Sequence, residues 1–181
     1  MADAGLPVRF GWFLVPEAAD PPGLVEQVRL AERAGVDLVG IQDHPYQRRY
    51  LDTFSLLAAL ATATERIGLF PDVANLPLRH PAMLAKAAAS IDLLSGGRFE
   101  LGLGAGSFWD AIVAMGGPRR SPGEAVEALD AAPLVGAHRE QVFGLTVRGD
   151  ELGLPVFIEC HECLPPRAVQ QSQAPQAAAM C

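Results

Sequence analysis

The chain has 181 residues, half of them apolar and 19% charged, with a formal net charge of −7 at pH 7. That is a globular composition with enough apolar material for a core, and an acidic balance without a basic stripe excludes a phosphate-tracking surface and hence nucleic acid as an expected partner. No apolar run reaches the roughly 18 residues that span a bilayer, Met1 to Arg9 does not read as a secretory signal, and the three Cys, all beyond residue 159, make no disulfide framework. A cytoplasmic protein with no membrane partner is expected.

Residues 1–130 are strongly patterned. Val8 to Val15 is a compact apolar run stopped by Pro16, which predicts a buried strand. Asp20, Pro21 and Pro22 open a helix whose inward face is Leu24, Val25, Val28, Ala31 and Ala34, with Gly35 as the left-handed residue that ends it. Val36 to Ile41 predicts a second strand, and Asp52 a helix N-cap ahead of Phe54, Leu57, Leu60 and Ala61. Ile67 to Ala74 predicts a third strand. Pro81 then starts a helix with Leu84, Ala87, Ala88, Ile91 and Leu94 inward, closed by Gly96 and Gly97, and Arg98 to Leu103 predicts a fourth strand. Ser121 and Glu124 read as a capping box for one more helix.

The strands start near residues 8, 36, 67 and 98, steps of 28, 31 and 31 residues. Each step fits one strand, one crossover helix and two short loops, so the fold class is α/β with a parallel sheet. Periodicity alone allows a barrel or an open doubly wound sheet.

Parallel α/β sheets place chemistry at the C-terminal ends of their strands. Here those ends read Leu14 to Glu17, Gln42 to Pro45, Asp72 to Asn75, and Gly102 to Ser107, which gathers polar and backbone-exposing residues on one rim. Asp37, Arg66 and Arg98, at the opposite ends, read as solvated strand starts. Asp43 and His44 form the sharpest pair, because an imidazole at a strand end can exchange a proton near neutral pH or stabilise a developing anion. Gly102, Gly104 and Gly106 let the backbone approach a ligand closely. Phe108 and Trp109 either wall a flat ligand or serve as core for the loop. Arg79 is either an anion contact or a solvated side chain, and Arg119 and Arg120 read as a solvated pair.

Cys160 and Cys163 have the spacing of a zinc or redox pair, but only His138, His161 and Cys181 remain as further ligands, short of a second CxxC for a closed site. No metal site is expected. Residues 131–164 read as an irregular segment with two short strands at most, and the Gln, Ala and Pro composition of 165–181 predicts a disordered tail.

The segments VGIQDHPYQ at 39–47, LPLRHPAMLAKAAASIDLLSGGRFELGLGAG at 76–106 and FWDAIVAMGGPRRSPGEAVEAL at 108–129 resemble the luciferase-like monooxygenases, a family of flavin- and deazaflavin-dependent oxidoreductases. The resemblance spans the first 130 residues. It implies the N-terminal half of a TIM-like βα barrel, here about four βα units of an incomplete barrel, since 181 residues fall short of the roughly 250 usual for eight.

It also implies FMN or a deazaflavin coenzyme of the F420 type at the rim, and oxygen insertion or hydride transfer on a small organic substrate. By position, Asp43 and His44 match the catalytic pair beside the ring. Asp72, Val73, Ala74 and Asn75 match the bulged strand end that backs the ring, often through a non-proline cis peptide. Gly104, Ala105 and Gly106 match the turn near the phosphate-bearing chain of the cofactor. Pro45, Tyr46 and Ser107 stand where sugar-phosphate dehydrogenases of this family carry a Trp and an acid, which argues against that activity. Four βα units leave two open sheet edges, and open edges invite association, so a homodimer is an expected partner state. The alternative reading is a truncated, non-catalytic remnant that dimerises or binds flavin weakly.

Overall fold

The structure is a computed structural model and describes residues 8–132. Strands β1 (Gly11–Leu14), β2 (Leu38–Ile41) and β3 (Gly68–Pro71) form a parallel sheet in that order, and β4 (Ala74–Asn75) pairs in parallel with β5 (Leu103–Gly104). Helices α1 (Pro21–Arg33), α2 (Thr53–Ala63) and α3 (Pro81–Ser95) supply the crossovers. Helices α4 (Trp109–Ala114) and α5 (Pro122–Asp130) follow β5. The architecture is α/β, a partial βα barrel.

Register assigns the two faces of the sheet. Trp12, Val39 and Leu69 lie side by side, as do Leu14, Ile41 and Pro71. Val39, Ile41 and Leu69 are fully buried in one core cluster with Leu24 and Val28 of α1 and Leu57 and Leu60 of α2. The alternate row is Phe13, Gly40 and Phe70. The Phe70 ring lies across Gly40, where an added Cβ would meet it at 2.6 Å. Phe13 is 51% exposed while Gly40 is buried, so among the described residues this inner face is open at its β1 end.

Local chemistry explains the helix ends. Asp20 and Asp52 accept the backbone N–H of Gly23 and Ser55 at 3.0 and 2.9 Å, each satisfying a donor that the first turn leaves free. Ser121 and Glu124 form the reciprocal capping box, and Gly96 closes α3 in the left-handed conformation at φ 70°. Ala34 is exposed, because it caps α1 rather than lying within it.

Three further expectations change. The third strand does not run unbroken to Ala74. It bends at a cis peptide between Asp72 and Val73, the non-proline cis bond that the family resemblance implies for this strand end, and Ala74–Asn75 turns to pair with β5. The fourth strand correspondingly meets β3 only at the Leu69–Phe99 bridge before Gly102 accepts the Ala74 N–H at 2.8 Å and β5 begins. Leu94 is 54% exposed, turned into a shallow groove between α2 and α3 with Phe54, Ala58 and Ile91 rather than into the core.

Arg98 is the third change. Its guanidinium donates to the carbonyls of Ser95, Ile67, Ala61 and Thr64 and to Thr64 Oγ1, at 2.7 to 3.0 Å. It closes the end of α2 and the entry to β3 instead of lying in solvent. Glu32 does the matching job with a carboxylate, its Oε1 accepting the N–H groups of Glu65, Arg66 and Ile67. The segments 133–164 and 165–181, with Cys160, Cys163 and Cys181, lie outside the described residues.

Candidate active site

The rim residues named from sequence meet at one end of the sheet. Asn75 and Gly104 are register partners in the β4–β5 pair. Asp43 joins them, because its Oδ2 accepts the Asn75 backbone N–H at 2.8 Å and so ties the chain just past β2 to β4. Asp72 donates its backbone N–H to Ile41 at 2.8 Å, which pins the bend against β2.

Val73 packs on the glycine turn so closely that a Cβ on Gly104 would lie 2.4 Å from Val73 Cγ2. Gly106 sits at φ 101°, and a Cβ there would meet Pro77 at 2.7 Å, so only glycine fits without displacement. Ala74 is buried behind this turn and Ala105 is partly buried in it.

His44 is half-buried among rings. Tyr46 stacks on it with centroids 5.3 Å apart and planes 23° apart, and Phe108 meets it edge-on at 5.4 Å. Aromatic pairs in these arrangements contribute roughly 0.5–1.5 kcal/mol beyond burial, enough to hold an orientation. Phe108 is 60% exposed, so it walls the rim and is not core for its loop. Burial pushes the His44 imidazole below its ordinary value of 6.5, and the Asp43 charge opposes this only in part. Burial also raises the Tyr46 phenol, with the Asp43 charge adding to it, and burial raises the Asp72 carboxyl.

Asp43 itself is 2% exposed. Both its oxygens are engaged by Arg79, Oδ2 by Nε and Oδ1 by Nη2, each at 2.6 Å. The same Nη2 reaches Asp52 at 2.7 Å, and the guanidinium lies 4.4 Å above the Phe54 ring centroid. Sequence reading left Arg79 undecided; the available signal was that it lies one βα unit beyond Asp43, at the mouth of the next helix, and the pairing itself is a tertiary contact. Arg119 pairs with Asp110, whereas Arg120 buries Nη1 with no partner among the described residues, so the two are not an ordinary solvated pair.

One buried acceptor at the rim is unspent. Asn75 is 6% exposed, and its Oδ1 has no hydrogen-bond partner among the described residues. Such orphans are rare in folded proteins, and a ligand donor is one way to satisfy them. An acceptor next to a close-packed glycine turn fits a flat heterocycle with a ring N–H. By contrast, a concavity of about 390 Å³ along β1 and α1 is lined by Trp12, Leu14, Leu24 and Gln27 and not by His44 or Asn75.

A family model described as luciferase-like monooxygenase matches residues 8–132. The chain belongs to this family. Among curated relatives, it is 44% identical over 79 residues to the 5,10-methylenetetrahydromethanopterin reductase of Archaeoglobus fulgidus, covering 44% of this chain and 23% of the relative. It is 35% identical over 111 residues to the 4-hydroxyprotoasukamycin monooxygenase of Streptomyces nodosus subsp. asukaensis, covering 55% and 29%. Among solved structures, the coenzyme F420 dependent tetrahydromethanopterin reductase of Methanopyrus kandleri superposes with a TM-score of 0.58 at 26% identity, covering 69% of this chain and 39% of that one. The matched part therefore spans less than a third of these curated relatives. The relatives include both reductases and monooxygenases, which places the chain in a family of flavin and deazaflavin oxidoreductases. No helix among the described residues is long and apolar enough to cross a membrane.

Proposed function

We propose that the chain forms the ring-binding side of a flavin- or deazaflavin-dependent oxidoreductase acting on a small organic substrate. The observation that carries this reading is the unpartnered, buried Oδ1 of Asn75 beside the Gly104–Gly106 turn, on the same rim as His44. FMN or an F420-type deazaflavin, when bound, supplies the hydride or oxygen chemistry, for which a protein contributes position and electrostatics.

The residues of this chain divide the remaining work. Asn75 Oδ1 accepts a ring N–H. Asp72, Val73 and Ala74 shape the bend that backs the ring, and Gly104, Ala105 and Gly106 let the backbone pass close to the phosphate-bearing chain. His44, kept neutral near pH 7 by burial, is the side chain able to take or return a proton at its imidazole nitrogen. Asp43 acts behind it as a positioning group, since both its oxygens are already engaged. Tyr46 and Phe108 exclude water from one side of the imidazole.

The half-exposed Phe13 on the open β1 end of the inner face favours a second reading, a non-catalytic remnant that dimerises or binds flavin weakly. Titration of FMN and then F420 into the wild-type chain and His44→Ala, followed by absorbance, separates the two. Binding with a perturbed ring spectrum in wild type supports the first reading. No perturbation by either ligand at high micromolar concentration sinks it for this chain.

A further inference from the structure

Among the described residues Arg79 has no hydrogen bond to His44 or the glycine turn, yet it is heavily committed at the rim. It takes both oxygens of a nearly inaccessible carboxylate and one of Asp52, and it rests on the Phe54 ring. A forked guanidinium–carboxylate pair sets distance and angle together, which a lysine cannot reproduce. A buried carboxylate left without such a partner would be strongly unfavourable.

The consequence runs through Asp43 in two directions. Along the chain, the next residue is His44. Across the sheet, Asp43 Oδ2 also holds the Asn75 backbone N–H. Asp52 extends the construction to the start of α2, where it accepts the Ser55 N–H.

We propose that Arg79 is a positioning residue of the flavin site: by clamping Asp43 it fixes His44 relative to Asn75 and compensates the carboxylate that adjoins the imidazole. This rests on the function proposed above, but its primary test needs no cofactor. Among the described residues, the groups facing His44 are Asp43 on its own segment, the Tyr46 phenol stacked on it and the uncharged Phe108 ring from beyond β5. Asp43 is therefore the charge that acts on the imidazole, and it acts upward. Arg79 limits that pull. Removing Arg79 while Asp43 stays charged raises the His44 titration midpoint, and removing the Asp43 charge lowers it.

The test is an NMR titration of the His44 ring in the 181-residue chain, comparing wild type with Arg79→Gln, Arg79→Lys, Asp43→Asn and the Arg79→Gln/Asp43→Asn double variant. The expected order of midpoints is Arg79→Gln above Arg79→Lys, which keeps the charge but not the fork, Arg79→Lys above wild type, and Asp43→Asn and the double variant below Arg79→Gln. A folded Arg79→Gln whose midpoint matches wild type overturns the proposal, as does an Arg79→Lys that shifts as far as Arg79→Gln. Should Arg79→Gln fail to fold, the double variant decides against Asp43→Asn: a double-variant midpoint above that of Asp43→Asn upholds the proposal, and one equal to it overturns the proposal. FMN or F420 affinity is the second readout, expected to fall about tenfold in Arg79→Gln, as loosened positioning groups do. Failure of both ligands to bind wild type would defeat the flavin reading alone, because the imidazole titration stands without them.

Discussion

The two ends of the sheet each carry an arginine-centred polar network, and the networks differ in what they leave over. At the strand starts, Arg98 gives its donors chiefly to backbone carbonyls, and Glu32 takes three backbone N–H groups. Those contacts close helix and loop ends, and side-chain capacity there is spent on the backbone. At the C-terminal rim, Arg79 gives its donors to two carboxylates, and the network ends in a half-buried imidazole and an amide oxygen with no partner among the described residues. Fold maintenance and candidate chemistry are thus separated along the strand axis. The starts satisfy backbone groups that would otherwise be buried and unpaired, and the ends hold side chains at defined positions and leave some unsatisfied.

If that separation is right, the largest stability loss comes from the strand starts. Arg98→Ala strands several carbonyls at once and should cost about 3 kcal/mol, read as a lower urea midpoint. FMN affinity per folded molecule should stay within about twofold, since a change confined to the strand starts leaves the distant rim contacts in place. A variant as stable as wild type, or one that folds and loses only affinity, breaks the comparison.

Glu32→Ala should cost roughly 1–2 kcal/mol by the same measurement. Its sign with pH is fixed. Burial pushes the Glu32 carboxyl up, but the N–H groups of Ile67, Arg66 and Glu65 outweigh burial and hold it below the ordinary value of 4.5. A depressed carboxylate stabilises the fold above its unfolded value, and the contribution fades as pH falls through the folded one. The gap between wild type and Glu32→Ala should therefore narrow in acid. A gap that widens below pH 4.5 would contradict the assignment.

At the rim the expectation reverses. Asn75→Ala removes an oxygen that has no partner among the described residues, so its melting temperature should move little, by about 1 kcal/mol or less in stability. FMN or F420 affinity should fall on the order of tenfold if the oxygen is a ligand acceptor. A large melting loss with unchanged affinity would turn Asn75 into a strand-starts type of residue.

The smallest effect is on the imidazole. The folded value of His44 lies below 6.5, so its ring titrates only under more acid conditions than a free histidine. Because the unfolded chain takes up that proton first, the corresponding stability is full above the ordinary histidine value and declines as pH falls below it. His44→Ala should flatten this part of the pH–stability curve. A midpoint at or above 6.5 in the wild-type NMR titration would remove the basis for a neutral imidazole at the rim.

Much of this division was legible in the residues. Compact apolar runs, helical period, the 28- to 31-residue step and the caps at Asp20, Asp52 and Ser121 are local signals, set by side-chain period and by backbone donors a few residues away, so the βα order and the rim as a place could be read without a structure. The bend at Asp72–Val73 could not be read from pattern alone, because apolar Val73 and Ala74 continue the strand's composition straight through it. Leu94 was misplaced for a related reason: helical period defines a face, and the width of the groove between α2 and α3 decides how far that face is covered.

By itself the sequence determined the class of fold, the polarity of the sheet and the set of residues gathered at its C-terminal end. Each of those depends on period and order, which a chain carries locally. Only the tertiary structure decided what Asp43, Arg79 and Arg98 do. All three are charged residues at strand or helix ends, and nothing in their spacing distinguishes a solvated side chain from a buried clamp. The distinction is made by partners 31 to 37 positions away, such as Ile67 and Ala61 for Arg98 and Asp43 for Arg79, which meet only when successive βα units pack side by side.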